Sequence, residues 1–368
     1  MMAIPFVHIQ AQGSYRELGR AVGEGARDAI HASLAFFRDN FSAMTEGRLS
    51  FAEAERQALA YAAEARRWTP QHLEELDGVA EGAGVPLSQL LVPNCAEELT
   101  ASEAREGGQA APGGPLGGDH CTAVAVAAAG RHVVGHNMDW YVIDAPNNVM
   151  FDLTVPDGTR LMGIAGAPYL LMIGMSSHGI ANVSNSVNSN DNRVGVPNVF
   201  VRRASLEGAS LEAARERGLL AARARGTNHF LADTRGRLWD IETSGTASAF
   251  ADHSSAGFMA HTNHYVAAGM APFEAATSEE SSIRLATAEA ILTEGIARGD
   301  DPVALVARAL RCHEPGPEQA ICGHPEENEP LAEQGMTVGS MICDLDERRI
   351  YVCAGPPCEN PYQMYEMD

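Results

Sequence analysis

A cysteine at the end of a glycine-rich segment is the residue of this chain whose position most suggests chemistry. Cys121 follows Gly117-Gly118-Asp119-His120 and precedes Thr122-Ala123-Val124, which reads as the start of a β-strand. If the peptide bond before Cys121 were cut, the thiol would gain an α-amine on the same residue. An α-amine has a pKa of about 7.7–8.0, so a neutral fraction could accept the thiol proton at neutral pH. Taken alone, the position favours the plainer interpretation that Cys121 only begins a buried strand.

A carboxylate further along the chain could serve that amine. Asp139 lies in Gly135-His136-Asn137-Met138-Asp139-Trp140. We predict two strands, 122–128 and 132–136, joined by a turn at Gly130-Arg131, and their pairing would return the end of the second strand beside Cys121. Asp139 could then bind the ammonium group. An aspartate in a strand-end turn is the simpler alternative.

The elements around these residues divide the chain into two parts. The first part contains a short strand at 4–9 and then helices, two of which begin at S-x-x-E capping boxes, Ser14–Glu17 and Ser50–Glu53. We predict these helices at 14–38, 50–67 and 69–82, with another short helix from Ser88. The segment 101–120, with six glycines and two prolines, is a flexible linker by composition.

The second part is rich in predicted strands. These lie at 122–128, 132–136, 148–155, 160–164, 179–187, 229–233, 238–242, 246–251, 258–261, 337–344 and 349–353, with helices at 211–223, 282–297 and 302–311. Hairpins with helices grouped before, between and after them predict a layered α+β fold. A Rossmann βαβ array is not indicated, because no G-x-G-x-x-G follows a predicted strand.

The ordered set of motifs resembles the isopenicillin N acyltransferase (penicillin acyltransferase) family of N-terminal nucleophile hydrolases. The two motifs around the cysteine and the aspartate, D-x-C-T-x-x-x-V and G-x-N-x-D-W, carry the resemblance first. Three later segments also resemble the family: His261-Thr262-Asn263-His264-Tyr265, Ala320-Ile321-Cys322-Gly323-His324, and the closing strands from Thr337 to Tyr362.

This resemblance implies a four-layer αββα sandwich and self-cleavage between His120 and Cys121. Residues 1–120 would be a helical N-terminal fragment ending in the linker, and 121–368 a β-rich catalytic fragment. The two would form one globular domain and stay associated after the cut. Cys121 would be the nucleophile and Asp139 the partner of its amine.

Three further residues receive roles by the same resemblance. Asn263 would donate to the oxyanion, and Asn185 is a second candidate donor whose register is left open by Asn182 and Asn188 nearby. Arg284 resembles an arginine that related bile salt hydrolases keep near the nucleophile, and a solvated helix charge is the alternative. One residue departs from the family, since His120 stands where glycine is frequent; it could protonate the leaving nitrogen or slow the cut.

Composition excludes several classes of protein. The chain has 368 residues, with 26 basic and 48 acidic side chains and a formal charge of −22, so we expect no nucleic-acid or membrane partner. It contains no lysine, which excludes pyridoxal-phosphate enzymes, P-loop proteins and protein kinases. No signal peptide or membrane-spanning run is visible, so we expect a cytoplasmic protein with seven reduced cysteines.

We expect no cofactor and no metal. His261 with His264, or Cys312 and His313 with Cys322 and His324, could be drawn as ligands, but the C-x₂-C and H-x₃₋₅-H spacings are absent. The sequence predicts a self-cleaving cysteine amide hydrolase that acts on a small-molecule N-acyl amine or peptide-like amide through a thioester. Acyl transfer to an amine is the alternative, and an unprocessed binding or scaffold protein is a further one. The sequence does not decide between a monomer and a homo-oligomer.

Overall fold

The computed structural model of the chain describes residues 6–103, 121–275, 279–326, 328–331 and 333–367. Nearly all of the predicted linker, and His120 on one side of the predicted cut, lie outside these ranges.

Eight strands form the first sheet, in the spatial order β1-β4-β5-β6-β7-β8-β9-β10. β1 and β4 run parallel, and the other neighbours are antiparallel. The strands of this first sheet are β1 Val7–Gln12, β4 Asn148–Thr154, β5 Arg160–Gly166, β6 Gly174–Ser176, β7 Ile180–Ser186, β8 Thr227–Asp233, β9 Leu238–Thr243 and β10 Ser248–Asp252.

Six antiparallel strands form the second sheet, in the order β11-β2-β3-β12-β13-β14. They are β2 Thr122–Ala128, β3 Arg131–Tyr141, β11 Phe258–His261, β12 Gly335–Asp344, β13 Arg349–Ala354 and β14 Gln363–Glu366. β2 and β3 pair through a turn at Ala129-Gly130, one residue before the predicted turn, with Thr122 opposite Asn137, and β3 extends beyond the predicted end at residue 136. This hairpin prediction is confirmed.

The described helices lie on the outer faces of the two sheets. Two helices lie on the second-sheet side, α9 Glu279–Arg298 and α10 Pro302–Leu310. The others lie on the first-sheet side: α1 Tyr15–Gly25, α2 Arg27–Met44, α3 Phe51–Trp68, α4 Pro70–Ala83, α5 Leu87–Asn94, α6 Ala96–Glu103, α7 Asn198–Leu206 and α8 Leu211–Gly218.

Successive side chains along each strand point to opposite faces of its sheet, and this alternation determines how the helices and sheets are layered. On β4, Val149 and Phe151 pack against the N-terminal helices, whereas Met150 between them packs between the sheets. On β2, Ala123 faces the space between the sheets and Val124 faces α9 and α10. The layers are therefore helix, sheet, sheet and helix, and the predicted αββα sandwich is confirmed.

Several element predictions need correction. The helix predicted at 14–38 is two helices, because the chain leaves helical geometry at Ala26, where φ is −110° and ψ is 19°. The helix predicted at 211–223 ends at Gly218. Both capping boxes are formed as predicted, at Ser14 and Ser50. Strands β6 and β14 and helices α6 and α7 were not predicted, and β6 lies where we expected a turn. Every residue of α7 is buried, including the polar Asn198, Arg202 and Ser205, so the helix has no solvent-exposed face.

Candidate active site

Cys121 lies directly before β2, where the register of the hairpin places it beside the end of β3. Its thiol donates a weak hydrogen bond to the backbone carbonyl of Asp139, with Sγ and O 3.8 Å apart. Asp139 lies within β3, which continues to Tyr141, so the alternative of a strand-end turn is wrong. The structure thus brings the two residues of the predicted nucleophile pair together.

The thiol of Cys121 is a weak acid in this environment. Burial raises its pKa to about 12, and the carboxylate of Asp139 acts in the same direction, whereas Arg202 and Arg284 lower it. At neutral pH the thiol therefore stays protonated. A base must remove the proton before Cys121 can attack a carbonyl carbon.

The carboxyl group of Asp139 is buried, and neither of its oxygens accepts a well-formed hydrogen bond from the part of the chain that the structure describes. Burial raises its pKa to about 7, while the Thr337 hydroxyl and Arg284 lower it. A buried carboxylate is costly unless a cation or donor accompanies it. The group is therefore suited to receive a positively charged partner.

Arg284 connects Cys121 to Asn263. It is 1% exposed on α9, and its Nη1 donates to the carbonyl oxygen of Cys121 at 3.1 Å. Its Nη2 donates to Oδ1 of Asn263, also at 3.1 Å. The alternative of a solvated helix charge is therefore wrong, and the guanidinium fixes the orientation of the Asn263 amide relative to the backbone of Cys121.

The side-chain amide of Asn263 keeps donor capacity. Its Nδ2 donates to the carbonyl oxygen of Ser186 at 3.0 Å, and no second acceptor for that nitrogen lies among the described residues. Since Arg284 occupies Oδ1, the amide cannot flip without losing this contact. Asn263 is 1% exposed, however, and neither it nor Arg284 or Asn185 lines the pocket that contains Cys121.

Asn185 differs from Asn263 in this respect. It lies on the same face of β7 as Val183, which packs between the sheets, so its register is settled in favour of the inner face. Its Nδ2 is 3.2 Å from the carbonyl oxygen of His261 and 3.3 Å from Oδ1 of Asn228. Both amide hydrogens therefore have acceptors. Asn182 precedes Val183 on β7, so its side chain points to the opposite face of the sheet, toward the helices.

A pocket with about 700 Å³ of space, its open mouth included, contains Cys121 and Asp139 in its wall. The wall combines apolar and aromatic side chains with polar ones. The apolar and aromatic group includes Met138, Trp140, Tyr169, Met172, Ile173 and Val199, and the polar group includes Asn94, His136, Ser184 and Ser186.

The wall also contains ionisable residues that were not predicted from the sequence, among them Glu97, Glu98, Asp144 and Arg202, and two of these form an ion pair. Glu97 Oε1 accepts from Nη1 of Arg202 at 3.1 Å and from the hydroxyl of Ser186 at 2.6 Å. Burial opposes ionisation, but Arg202 and Arg225 hold the pKa of Glu97 down to about 2. Glu97 and Arg202 are therefore a charged pair that a polar part of a ligand would meet.

A weak signal for these residues exists in the sequence. Arg202 and Arg203 interrupt the apolar run Val199-Phe200-Val201, and Glu97 and Glu98 follow a similar run ending at Ala96. Charges inside apolar segments are rarely buried unless they are paired. The pairing itself joins residues 105 positions apart and is not visible without the fold.

Sequence comparisons relate the chain to a known family. The model of the family described as acyl-coenzyme A:6-aminopenicillanic acid acyl-transferase matches residues 126–356. The acyl-coenzyme A:6-aminopenicillanic-acid-acyltransferase 40 kDa form of Emericella nidulans is 23% identical over 264 residues, which cover 70% of this chain and 69% of that protein.

Two solved structures are also similar. The penicillin V acylase of Agrobacterium tumefaciens has a TM-score of 0.46 at 12% identity and covers 67% of this chain and 86% of its own. A mutant of the conjugated bile acid hydrolase of Clostridium perfringens has a TM-score of 0.42 at 11% identity, covering 67% and 97%.

The chain belongs to the acyl-coenzyme A:6-aminopenicillanic acid acyltransferase family, because the family model matches more than half of its length. The resemblance drawn from the motifs is confirmed, and the matched region begins shortly after Cys121. Within the described residues, no helix is both long and apolar enough to span a bilayer.

Proposed function

We propose that the protein is a self-cleaving cysteine amide hydrolase for small-molecule N-acyl amines or peptide-like amides. One observation carries the proposal: Cys121, in the wall of the pocket, contacts Asp139, and Arg284 joins its carbonyl group to the Asn263 amide. Family membership supports amide cleavage or acyl transfer in general.

Maturation would proceed by attack of the Cys121 sulfur on the carbonyl carbon of His120. The peptide C–N bond breaks, its nitrogen gains a proton and becomes the α-amine of Cys121, and the acyl group moves to sulfur as a thioester. Water then hydrolyses that thioester, which releases the carboxylate of His120 and restores the thiol. Asp139 would hold the protonated form of this amine, which is supported by the effect of its carboxylate on the pKa of the Cys121 thiol.

Turnover would use the same atoms. The neutral α-amine takes the thiol proton, the sulfur attacks the substrate carbonyl, and the developing oxyanion accepts a hydrogen bond from Asn263. The ammonium then protonates the departing amine, leaving a thioester on Cys121. Water hydrolyses this acyl-enzyme and returns the free thiol.

Acyl transfer is the second candidate, and it differs only in the last step. An amine acceptor would attack the thioester in place of water. The observation that favours it is the sequence similarity to a relative named as an acyltransferase. Trapping the acyl-enzyme with an N-acyl amine, then comparing its rate of loss with and without added amines, distinguishes the two reactions.

The proposal is tested on a denaturing gel followed by N-terminal sequencing. The purified protein should give fragments of 120 and 248 residues, and the larger one should begin at Cys121. Cys121→Ala should remain one intact chain. Cys312→Ser is the matched control, since Cys312 is the other half-buried cysteine, and it should cleave normally.

Two results would overturn this function. A larger fragment that begins at another residue would remove Cys121 as the nucleophile. One intact wild-type chain without acyl-enzyme formation would instead favour the unprocessed binding or scaffold protein. In a cleaving protein, Asp139→Asn should impair maturation, turnover or both, because a neutral amide no longer attracts the ammonium.

A further inference from the structure

Four potential metal ligands come together outside the pocket, near the start of β12 and the end of β13. They are His313, Cys322, His324 and Cys358, and their ligand atoms all lie within 4.8 Å of one another. The first three belong to the chain between α10 and β12, and Cys358 belongs to the connection between β13 and β14. None of them takes part in the proposed reaction.

The distances match the edges of a tetrahedron around a metal ion. Zn–N bonds of about 2.0–2.1 Å and Zn–S bonds of about 2.3 Å give N···N edges of roughly 3.3 Å and N···S edges of roughly 3.6 Å. Nε2 of His324 is 3.1 Å from Nε2 of His313, 3.2 Å from Sγ of Cys358 and 3.9 Å from Sγ of Cys322.

Hydrogen bonding alone does not account for this arrangement. Nε2 of His324 has either one hydrogen or one lone pair, so it cannot bond to three neighbours at once. A cation at the centre would satisfy all four ligand atoms. Oε1 of Glu359 lies 3.6 Å from Nδ1 of His324, so a carboxylate is near the ring nitrogen that faces away from the cluster.

We propose that His313, Cys322, His324 and Cys358 bind one Zn²⁺ in a tetrahedral structural site. Two thiolates and two imidazoles are a donor set that zinc prefers, and four protein ligands leave no open position for catalysis. Two thiolates also neutralise the ion. The spacing test applied to the sequence missed the site because it paired Cys312 with His313, whereas the fold supplies Cys358.

The site would fix a loop that lies next to Asp139. Gly323, between two of the ligands, donates its N–H to Oγ1 of Thr337 at 2.9 Å and accepts from the N–H of Thr337 at 3.1 Å. Thr337 is opposite Asp139 in the β3–β12 register. The metal would thus hold two connections together and support the end of β3 from outside.

Metal content of the full-length protein tests the site. Protein purified without a histidine tag, reduced, stripped with a chelator and then reloaded with Zn²⁺ should retain about one zinc per chain after dialysis. Cys121→Ala should retain the same amount, so the result does not depend on the proposed function. Cys358→Ser and His324→Gln should bind zinc at least about tenfold more weakly.

The control and the spectroscopic probe use the same preparation. Cys312→Ser should keep the zinc, because the Cys312 sulfur instead accepts from the N–H of Glu314. Co²⁺ in place of zinc should give tetrahedral d–d bands and a thiolate charge-transfer band, which Cys358→Ser weakens. The proposal would be overturned if reduced wild-type protein did not retain zinc, or if Cys312→Ser lost as much zinc as Cys358→Ser. A Cys322–Cys358 disulfide in protein purified without air would also overturn it.

Discussion

Two asparagines near Cys121 have different hydrogen-bonding states, and this difference assigns them different roles. Asn263 has one N–H bonded to Ser186 and another without an acceptor among the described side chains and backbone. Asn185 donates to both His261 and Asn228. An oxyanion donor must have a hydrogen to give in the transition state. Asn263 is therefore the better candidate, and Asn185 is better placed to support the strand pairing around it.

We predict that Asn263→Ala lowers kcat by about 10²–10³ while KM stays nearly unchanged, because the lost hydrogen bond forms only in the transition state. Asn185→Ala is the matched control. It should lower the unfolding temperature, because two buried acceptors lose their donor, and it should leave kcat nearly unchanged. The measurements are steady-state kinetics and thermal unfolding of cleaved protein. Wild-type kcat in a stable, cleaved Asn263→Ala protein would exclude the role.

Local pattern predicted the approach of Cys121 to Asp139, whereas Arg284 was reached only through the family resemblance and Arg202 was not predicted. Cys121 and Asp139 come together through a hairpin whose turn, Ala129-Gly130, lies one residue before the predicted one, so their approach follows from short-range pairing. Arg284 comes from α9 and Arg202 from α7, and nothing local fixes their distance from Cys121. Their burial also could not be predicted, because an arginine on a helix is more often exposed.

At the scale of elements, α1 and α4 approach so closely that backbone touches backbone. A Cβ placed on Gly19 would lie 1.8 Å from the carbonyl oxygen of Glu75, and one on Gly78 would lie 2.2 Å from that of Arg16. Such distances are far below van der Waals contact, so only glycine permits this crossing. The same holds for Gly23 and Gly82.

We predict that Gly19→Ala destabilises the protein by roughly 1–3 kcal/mol, because overpacking at this crossing outweighs a gain in helix propensity of up to about 1 kcal/mol. Gly269→Ala is the control, since no atom lies within 4 Å of its added Cβ. Urea unfolding of both variants measures the difference. A stabilised Gly19→Ala protein would show that propensity dominates and that the helices can separate.

A buried ion pair connects β11 to β9. Nε2 of His261 lies 2.9 Å from Oε1 of Glu242. Burial opposes protonation of His261, but Asp240 and Glu242 raise its pKa to about 9. An unfolded histidine has a pKa of about 6.5, so the folded state binds the proton more tightly. This stabilisation is fully present below pH 6.5 and is lost as the pH rises through 9.

We therefore predict that Glu242→Gln costs more stability at pH 6 than at pH 10, by on the order of 1–2 kcal/mol, because the histidine has lost its charge at the higher pH. Urea unfolding of wild type and variant at both pH values measures the change, and the wild type corrects for all other titrating groups. A stability difference that is equal at both pH values, or larger at pH 10, would show that His261 is not protonated in the folded protein.

At the scale of the whole molecule, the proposed cut at Cys121 would separate segments that remain packed together. Strand β1 belongs to the N-terminal fragment and pairs with β4 of the C-terminal fragment. Helices of the first part also share one apolar core with Val149, Phe151 and Leu153 of β4. The amphipathic helices predicted from the sequence required an apolar surface to pack against, and this core supplies it. The pairing of β1 with β4 was not predictable from local pattern.

A buried ion pair also crosses the proposed cut. Nη2 of Arg203 lies 2.9 Å from Oε2 of Glu75, and their side chains are 0% and 2% exposed. Nε of Arg203 also lies 3.4 Å from Oε1 of Glu207, so removing Glu75 leaves the guanidinium with one buried carboxylate and should cost less than the roughly 3–5 kcal/mol of an unpaired buried charge. An exposed pair such as Arg16 with Glu81, which lies wholly inside the N-terminal fragment, contributes little. The two pairs therefore make a matched comparison.

We predict that the two fragments elute as one peak in size exclusion and dissociate only in denaturant. Glu75→Gln should lower the urea concentration at which they separate, because Arg203 stays buried with a weaker counterion, whereas Glu81→Gln should leave it nearly unchanged. Equal midpoints for the two variants would show that the buried pair does not couple the fragments. Separation without denaturant would mean that residues 1–120 are a removable segment, and the shared core between the N-terminal helices and β4 would not hold in solution.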